Sequence, residues 1–299
     1  MANLLPALLL GALSLASVAP VAAQQQTAAV VSFTFGTYSF KKPTDVYNDF
    51  APAIESLENA LESRLNLPVT IDLKVYKTYE ECLDKFVSGE VDFVRFGPAS
   101  YVIARERNPE VQLLVAEQED GKKRCQGVIA VRKDSPVHSL DQLKGRTFAF
   151  GDQLSTIGRF LSQARLVEAG ITEKDLKSHE YLERHDKVFK AVELGNFDAG
   201  AMHIATFEDN NTEGQLRTIC VFENVGKPWI ARAGLDERFV LALRESLLTM
   251  DTPAALKALK VHGFLPATDT DYQLVRDGMK TAERFASPQA QPQPEPAKD

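Results

Sequence analysis

The chain has 299 residues, 44% of them apolar and 25% charged, enough to bury one large core or two ordinary ones. Its net charge is −7 and no basic tract is long enough to follow a phosphate backbone, which argues against a nucleic-acid partner. Anion binding would have to rest on local donors rather than on the overall field.

The N-terminus reads as a targeting segment. "LLPALLLGALSLASVAPVAA" is an apolar run ending in small residues, and Val21 and Ala23 fit a signal-peptidase site before Gln24. Residues 1–23 are therefore expected to be a cleaved signal peptide, although no Lys or Arg precedes the run. No Cys sits at that site, and no later stretch reaches the ~20 apolar residues needed to span a bilayer. The mature protein is expected to be exported and soluble.

Strand and helix then alternate. "VVSFTFGTY" reads as a strand, "YNDFAPAIESLENALESRLN" as an amphipathic helix, "VTIDLKVY" as a strand and residues 78–88 as a helix. "VDFVRFG" is a strand and Pro98 opens the next helix at its first turn. The strands "VQLLVAEQ", "CQGVIAVRK" and "TFAFGD" follow. A helix after Ser155, a strand near Tyr181, a helix from Asp186 and the strand "FDAGAM" come next. "LRTICVFEN" and "PWIARAG" close the strand region, and Asp236 to Ala286 reads as helix only. "ASPQAQPQPEPAKD" has no periodicity, so residues 286–299 are expected to be a disordered tail. Two batches of alternating units imply α/β architecture: two lobes of parallel-rich sheet flanked by helices.

Ligands in open α/β sheets sit beyond the carboxyl ends of the strands. There the chain places Gly36, Thr37 and Tyr38; then "GPASY", with Ser100 and Tyr101; then Ser155 and Thr156; then His185 and Asp186. Each taken alone suits a turn or a helix cap. Together they put several helix N-termini, with orphan donors and partial positive charge, around one anion. Neither a GxSxG elbow nor a P-loop lysine is present, so an enzyme is not expected. The histidines show no zinc spacing, and no metal or cofactor is implied.

The three cysteines leave at least one thiol unpaired. Cys82 reads as core. Cys125 has three readings: a small buried hydrophobe, a soft thiolate ligand, or a disulfide partner of Cys220.

The segments "GEVDFVRFGPASYVIA", "VRKDSPVHSLDQLKGRTFAFGD", "STIGRF", "RHDKVFKAVELGNFDAGA" and "KPWIARAGL" resemble the phosphate/phosphite/phosphonate-type periplasmic solute-binding proteins of ABC transporters. The resemblance runs from about Ser32 to Arg284. It implies two lobes joined by crossing strands near Arg124–Arg132 and Val225–Ala233. Lobe 1 would hold residues 24–124 and 233–285, and lobe 2 residues 125–232. It implies a small oxyanion held by Ser155, Thr156, His185, Tyr101 and Tyr38, with no cofactor. The partner would be an inner-membrane permease, and the protein would act as a monomer in the periplasm. Two departures stand out. Ile157 replaces a small polar residue in "GDQLSTIG". "DAGAMH" offers Met202 and His203 where aminoalkylphosphonate binders commonly place a carboxylate, which disfavours an amine-bearing ligand. Related arsenite sensors hold their ligand through one cleft cysteine, so the alternative is a sensor using Cys125 and docking on a histidine kinase's periplasmic domain.

Overall fold

The computed structural model describes residue 1 and residues 30–286. The expected signal segment and tail fall outside the described residues, apart from Met1 and Ala286. Among the described residues, no helix is long and apolar enough to cross a membrane.

The chain folds around two sheets. In chain order the elements of the first half are β1 (Val31–Tyr38), α1 (Pro43–Leu65), β2 (Val69–Tyr76), α2 (Tyr79–Val87), β3 (Phe93–Arg95), α3 (Pro98–Arg107), β4 (Gln112–Gln118), β5 (Arg124–Arg132) and β6 (Thr147–Phe150). A π-helical turn (Thr156–Leu161) then leads into α4 (Ser162–Glu168), followed by β7 (Ser178–Tyr181), α5 (His185–Glu193), β8 (Ala199–His203), α6 (Ile204–Asn210) and β9 (Leu216–Val225). The chain ends with β10 (Pro228–Ala231), α7 (Glu237–Leu248), α8 (Pro253–Leu259), β11 (Gly263–Leu265) and α9 (Gln273–Ala282).

The first sheet has six strands in the order β11-β4-β10-β3-β1-β2, and the second five in the order β7-β6-β8-β5-β9. Pairing is parallel where helices connect neighbours, as in β1 with β2 and β3, and β6 with β7 and β8. It is antiparallel where β10, returning from the other lobe, lies between β3 and β4, and again where β11 joins β4 at the edge. This corrects the expected lobe boundary: residues 228–231 belong to the first sheet, not the second lobe. The driving force is apolar, because Trp229 stacks on Phe35 at 5.0 Å between ring centres, inside the first core.

A second correction concerns the C-terminal segment, which is not helix only. β11 pairs with β4. Its Gly263, at φ +140°, supplies a backbone conformation that L side chains rarely adopt. The segment also leaves the first lobe, for Phe285 is buried in the second core against Phe150.

Two connections join the lobes side by side. Glu117 N–H donates to the Lys227 carbonyl at 2.9 Å, and Gly226 N–H to the Lys123 carbonyl at 3.2 Å. The strands approach so closely that a Cβ on Gly226 would lie 2.0 Å from the Glu117 carbonyl oxygen. Tyr272, just before α9, donates its hydroxyl to the Gly226 carbonyl at 3.3 Å, tying the C-terminal segment to the same crossing.

Candidate functional site

Between the lobes lies a cleft of about 360 Å³. Its second-lobe wall starts with the turn after β6. Ser155 is the N-cap of the π-helical turn: its Oγ accepts from Gly158 N–H at 2.9 Å. Capping uses a lone pair and leaves the hydroxyl proton free to donate, so cap and ligand donor are compatible roles. Gly151 and Gly158 face each other so tightly that a Cβ on Gly158 would lie 2.7 Å from Gly151 Cα. That approach bends the chain so that Ser155 and Thr156 both reach the cleft. Thr156 Oγ1 accepts from Ala99 N–H of the opposite lobe at 2.9 Å, which likewise leaves its own proton to donate.

Two imidazoles continue this wall. His185 is the first residue of α5; its Nδ1 is buried without a partner. His203 caps α6, its Nδ1 accepting from Ala205 N–H at 3.1 Å. A neutral imidazole with Nδ1 accepting carries its proton on Nε2, so His203 offers a fixed N–H donor. Burial, then the neighbouring His203 and Lys227, push His185 down to about 4. Burial and then Lys227 push His203 down to about 4 as well. Both rings are therefore neutral at pH 7.

The first-lobe wall is aromatic and backbone. Tyr38 and Tyr79 stack at 3.7 Å, and Tyr38 Oη accepts from Gly97 N–H at 3.0 Å. Burial, then the Asp152 carboxylate, push the Tyr79 phenol up to about 12, so it remains a proton donor. At the crossing end the Arg95 guanidinium grips Glu117 through two hydrogen bonds, and Trp229 Nε1 donates to the same carboxylate at 2.9 Å. Burial resists the Glu117 charge, but the Arg95 guanidinium outweighs it and holds the carboxyl below its usual range. Lys227 lines the cleft beside this pair. It is open to cleft water yet surrounded by both lobes; the Arg95 charge, then enclosure, push its amine down to about 8.

Of the residues singled out from sequence, Tyr38, Ser155, Thr156, His185, His203 and Cys125 all line this cleft. Tyr101 does not: it is buried behind the wall, where its hydroxyl donates to Asp269 at 2.7 Å. Ser100 is also buried off the lining, because α3 carries it away from Gly97 and Pro98, which do line the cleft. Ile157 forms an apolar part of the wall and packs into the second core. The disulfide reading is excluded, since Cys125 and Cys220 are free. Cys125 faces Asn224 across β5 and β9, whereas Cys220 faces Ile129, four residues along β5. At ~3.3 Å per residue that offset exceeds the reach of a disulfide. Burial, then Glu119, push the Cys125 thiol up to about 12, so it is protonated at pH 7 and no thiolate is offered. Sequence reasoning missed Tyr79 and Lys227. The only sequence signal for Lys227 is its place in "GKPW", directly after the crossing glycine.

Two α/β lobes, a double crossing and a cleft lined by helix starts define a clamp-type solute-binding protein. The family of phosphonate-type periplasmic substrate-binding proteins of ABC transporters matches residues 35–272, and the chain belongs to it. The chain is 29% identical over 197 residues to a probable ABC transporter phosphite-binding protein, PhnD1, of Prochlorococcus marinus, covering 60% of this chain and 66% of that one. It is 25% identical over 278 residues to the phosphate-import protein PhnD of Mycolicibacterium smegmatis, covering 82% and 84%. The solved structure of P. marinus PhnD1 in complex with methylphosphonate shares the fold, with a TM-score of 0.71 at 24% identity over 84% of this chain and 98% of that chain.

Proposed function

We propose that this protein clamps a small phosphorus oxyanion of the phosphate, phosphite or phosphonate type in the interlobe cleft and delivers it to an ABC permease. The observation that carries this reading is the convergence of four polar side chains on one cleft: Ser155, Thr156 and His203, each oriented by a bond it accepts and left with a proton to donate, and His185, whose buried Nδ1 has no partner. The donors are fixed before the ligand arrives, so little ordering cost remains at binding. Phosphorus oxyanions suit such a site because they need only donors and no covalent bond. Membership of a periplasmic family supports action in the periplasm, and a monomer suffices because one chain supplies both walls. The arsenite alternative gains no second soft ligand from the site, since among the described residues Cys125 is the one cysteine that lines the cleft.

Calorimetric titration with phosphate, phosphite, methylphosphonate and arsenite tests the reading. Saturable binding of a phosphorus oxyanion is expected. Arsenite binding that Cys125→Ser abolishes, with no phosphorus ligand bound, would replace this reading with the sensor. Hinge closure at the crossing is expected to reduce the radius of gyration by small-angle scattering at saturation.

A further inference from the structure

The cleft is larger than one inorganic oxyanion fills. About 360 Å³ lies in the range that takes organic ligands. Its polar demand comes from two parts of the wall, and Lys227 at the second is near enough to act on both imidazoles of the first. One is the helix-start wall with Ser155, Thr156 and the unpartnered Nδ1 of His185. The other is the crossing, where Asn224 is 3% exposed and its Oδ1 has no hydrogen-bond partner. A buried acceptor in that condition is a place for a ligand or water.

Lys227 stands at that second place. Among the described residues it makes no ion pair within 4.0 Å. The nearest carboxylate by influence, Glu117, is already committed to Arg95 and Trp229. Glu119 and Asp209 also line the cleft, yet neither comes within ion-pair distance of the Lys227 amine. The crossing end thus holds a cation with no committed counter-charge beside an unfilled polar pocket.

Resting on the phosphorus-oxyanion reading, we infer that the ligand is an organic phosphonate or phosphate ester with a second acidic group. Its phosphorus end sits on Ser155, Thr156 and His185, and its second acid is held by Lys227. Asn224 Oδ1 takes a hydroxyl or water beside that acid. Lys227 is then the residue that sets specificity among phosphorus ligands, selecting for a carboxylate tail and against an amine.

The test is titration of the purified protein with phosphonoacetate and 3-phosphonopropionate against ethylphosphonate and 2-aminoethylphosphonate. At least one carboxylate ligand should bind ten-fold or more tighter than ethylphosphonate, and 2-aminoethylphosphonate more weakly than either. In Lys227→Met that ratio should fall to about one, whereas Lys227→Arg should keep it. Ser155→Ala should weaken all phosphorus ligands and leave the ratio intact, and matching melting temperatures would show that the variants fold. Carboxylate ligands bound no better than ethylphosphonate, or a tighter amine, would overturn the inference and leave the oxyanion reading standing. A Lys227→Met variant that weakens every ligand equally would also overturn it, placing the lysine at the phosphorus end. Failure of every phosphorus ligand with the wild-type protein would overturn both.

Discussion

The two ends of the cleft are built on opposite principles. At the helix-start end the donors are hydroxyls and neutral imidazoles, and three of the four are oriented by a bond to a residue a few positions away or by a short reach across the cleft. Ser155 is set by Gly158, His203 by Ala205 and Thr156 by Ala99. At the crossing end the groups are charged, and their partners are far apart in sequence: Arg95, Glu117, Trp229 and Lys227 meet only because two strands pass side by side. Neutral preorganised donors give an anion site that holds its geometry without a counter-charge. A buried ion network gives the crossing one geometry at a desolvation cost that only a complete set of partners offsets.

The contrast can be broken hardest at Glu117. It is 7% exposed and shared by Arg95 and Trp229. Removing one partner of such a pair strands a buried charge, so Glu117→Ala is expected to cost about 3–5 kcal/mol of stability. Urea unfolding measures this; a loss near zero would mean the crossing end is not held by the pair. The neutral end should respond in affinity instead. Ser155→Ala and Thr156→Ala are each expected to weaken oxyanion binding by about 1.5–3 kcal/mol, as for hydrogen bonds to a charged group. Unchanged affinity in both would remove them from the site.

Acid provides a third test, aimed at the neutrality of the helix-start end. His185 and His203 sit at about 4 in the fold, against ~6.5 for a free imidazole. The unfolded chain therefore takes up protons first as pH falls through 6.5. The contribution of these histidines is full above pH 6.5 and is lost progressively towards pH 4. Melting temperature should fall between pH 6.5 and 5, and a His185→Gln, His203→Gln double variant should flatten that slope. The smallest effect is expected at Tyr101. Tyr101→Phe loses one hydrogen bond to Asp269, about 1 kcal/mol of stability, with ligand affinity unchanged because the side chain lies behind the wall. A large affinity loss would return Tyr101 to the site.

The helix-start end was legible in the sequence because its logic is local. A strand ending in glycine, two hydroxyls and a second glycine specify the capped turn at Ser155 and Thr156, and an imidazole at a helix start specifies His185. The same local logic over-reached at "GPASY": strand and helix were right, but which face of α3 meets the cleft depends on packing, and Asp269 draws Tyr101 away. Alternation of strand and helix determined the fold class. It could not show that β10 returns to the first sheet or that Phe285 crosses into the second core, because apolar runs do not name their partners. The crossing end was decided by tertiary structure alone. Lys227, Glu117 and Arg95 carry no shared motif or spacing, and their charges act on one another only once folding brings them together and removes the water between them.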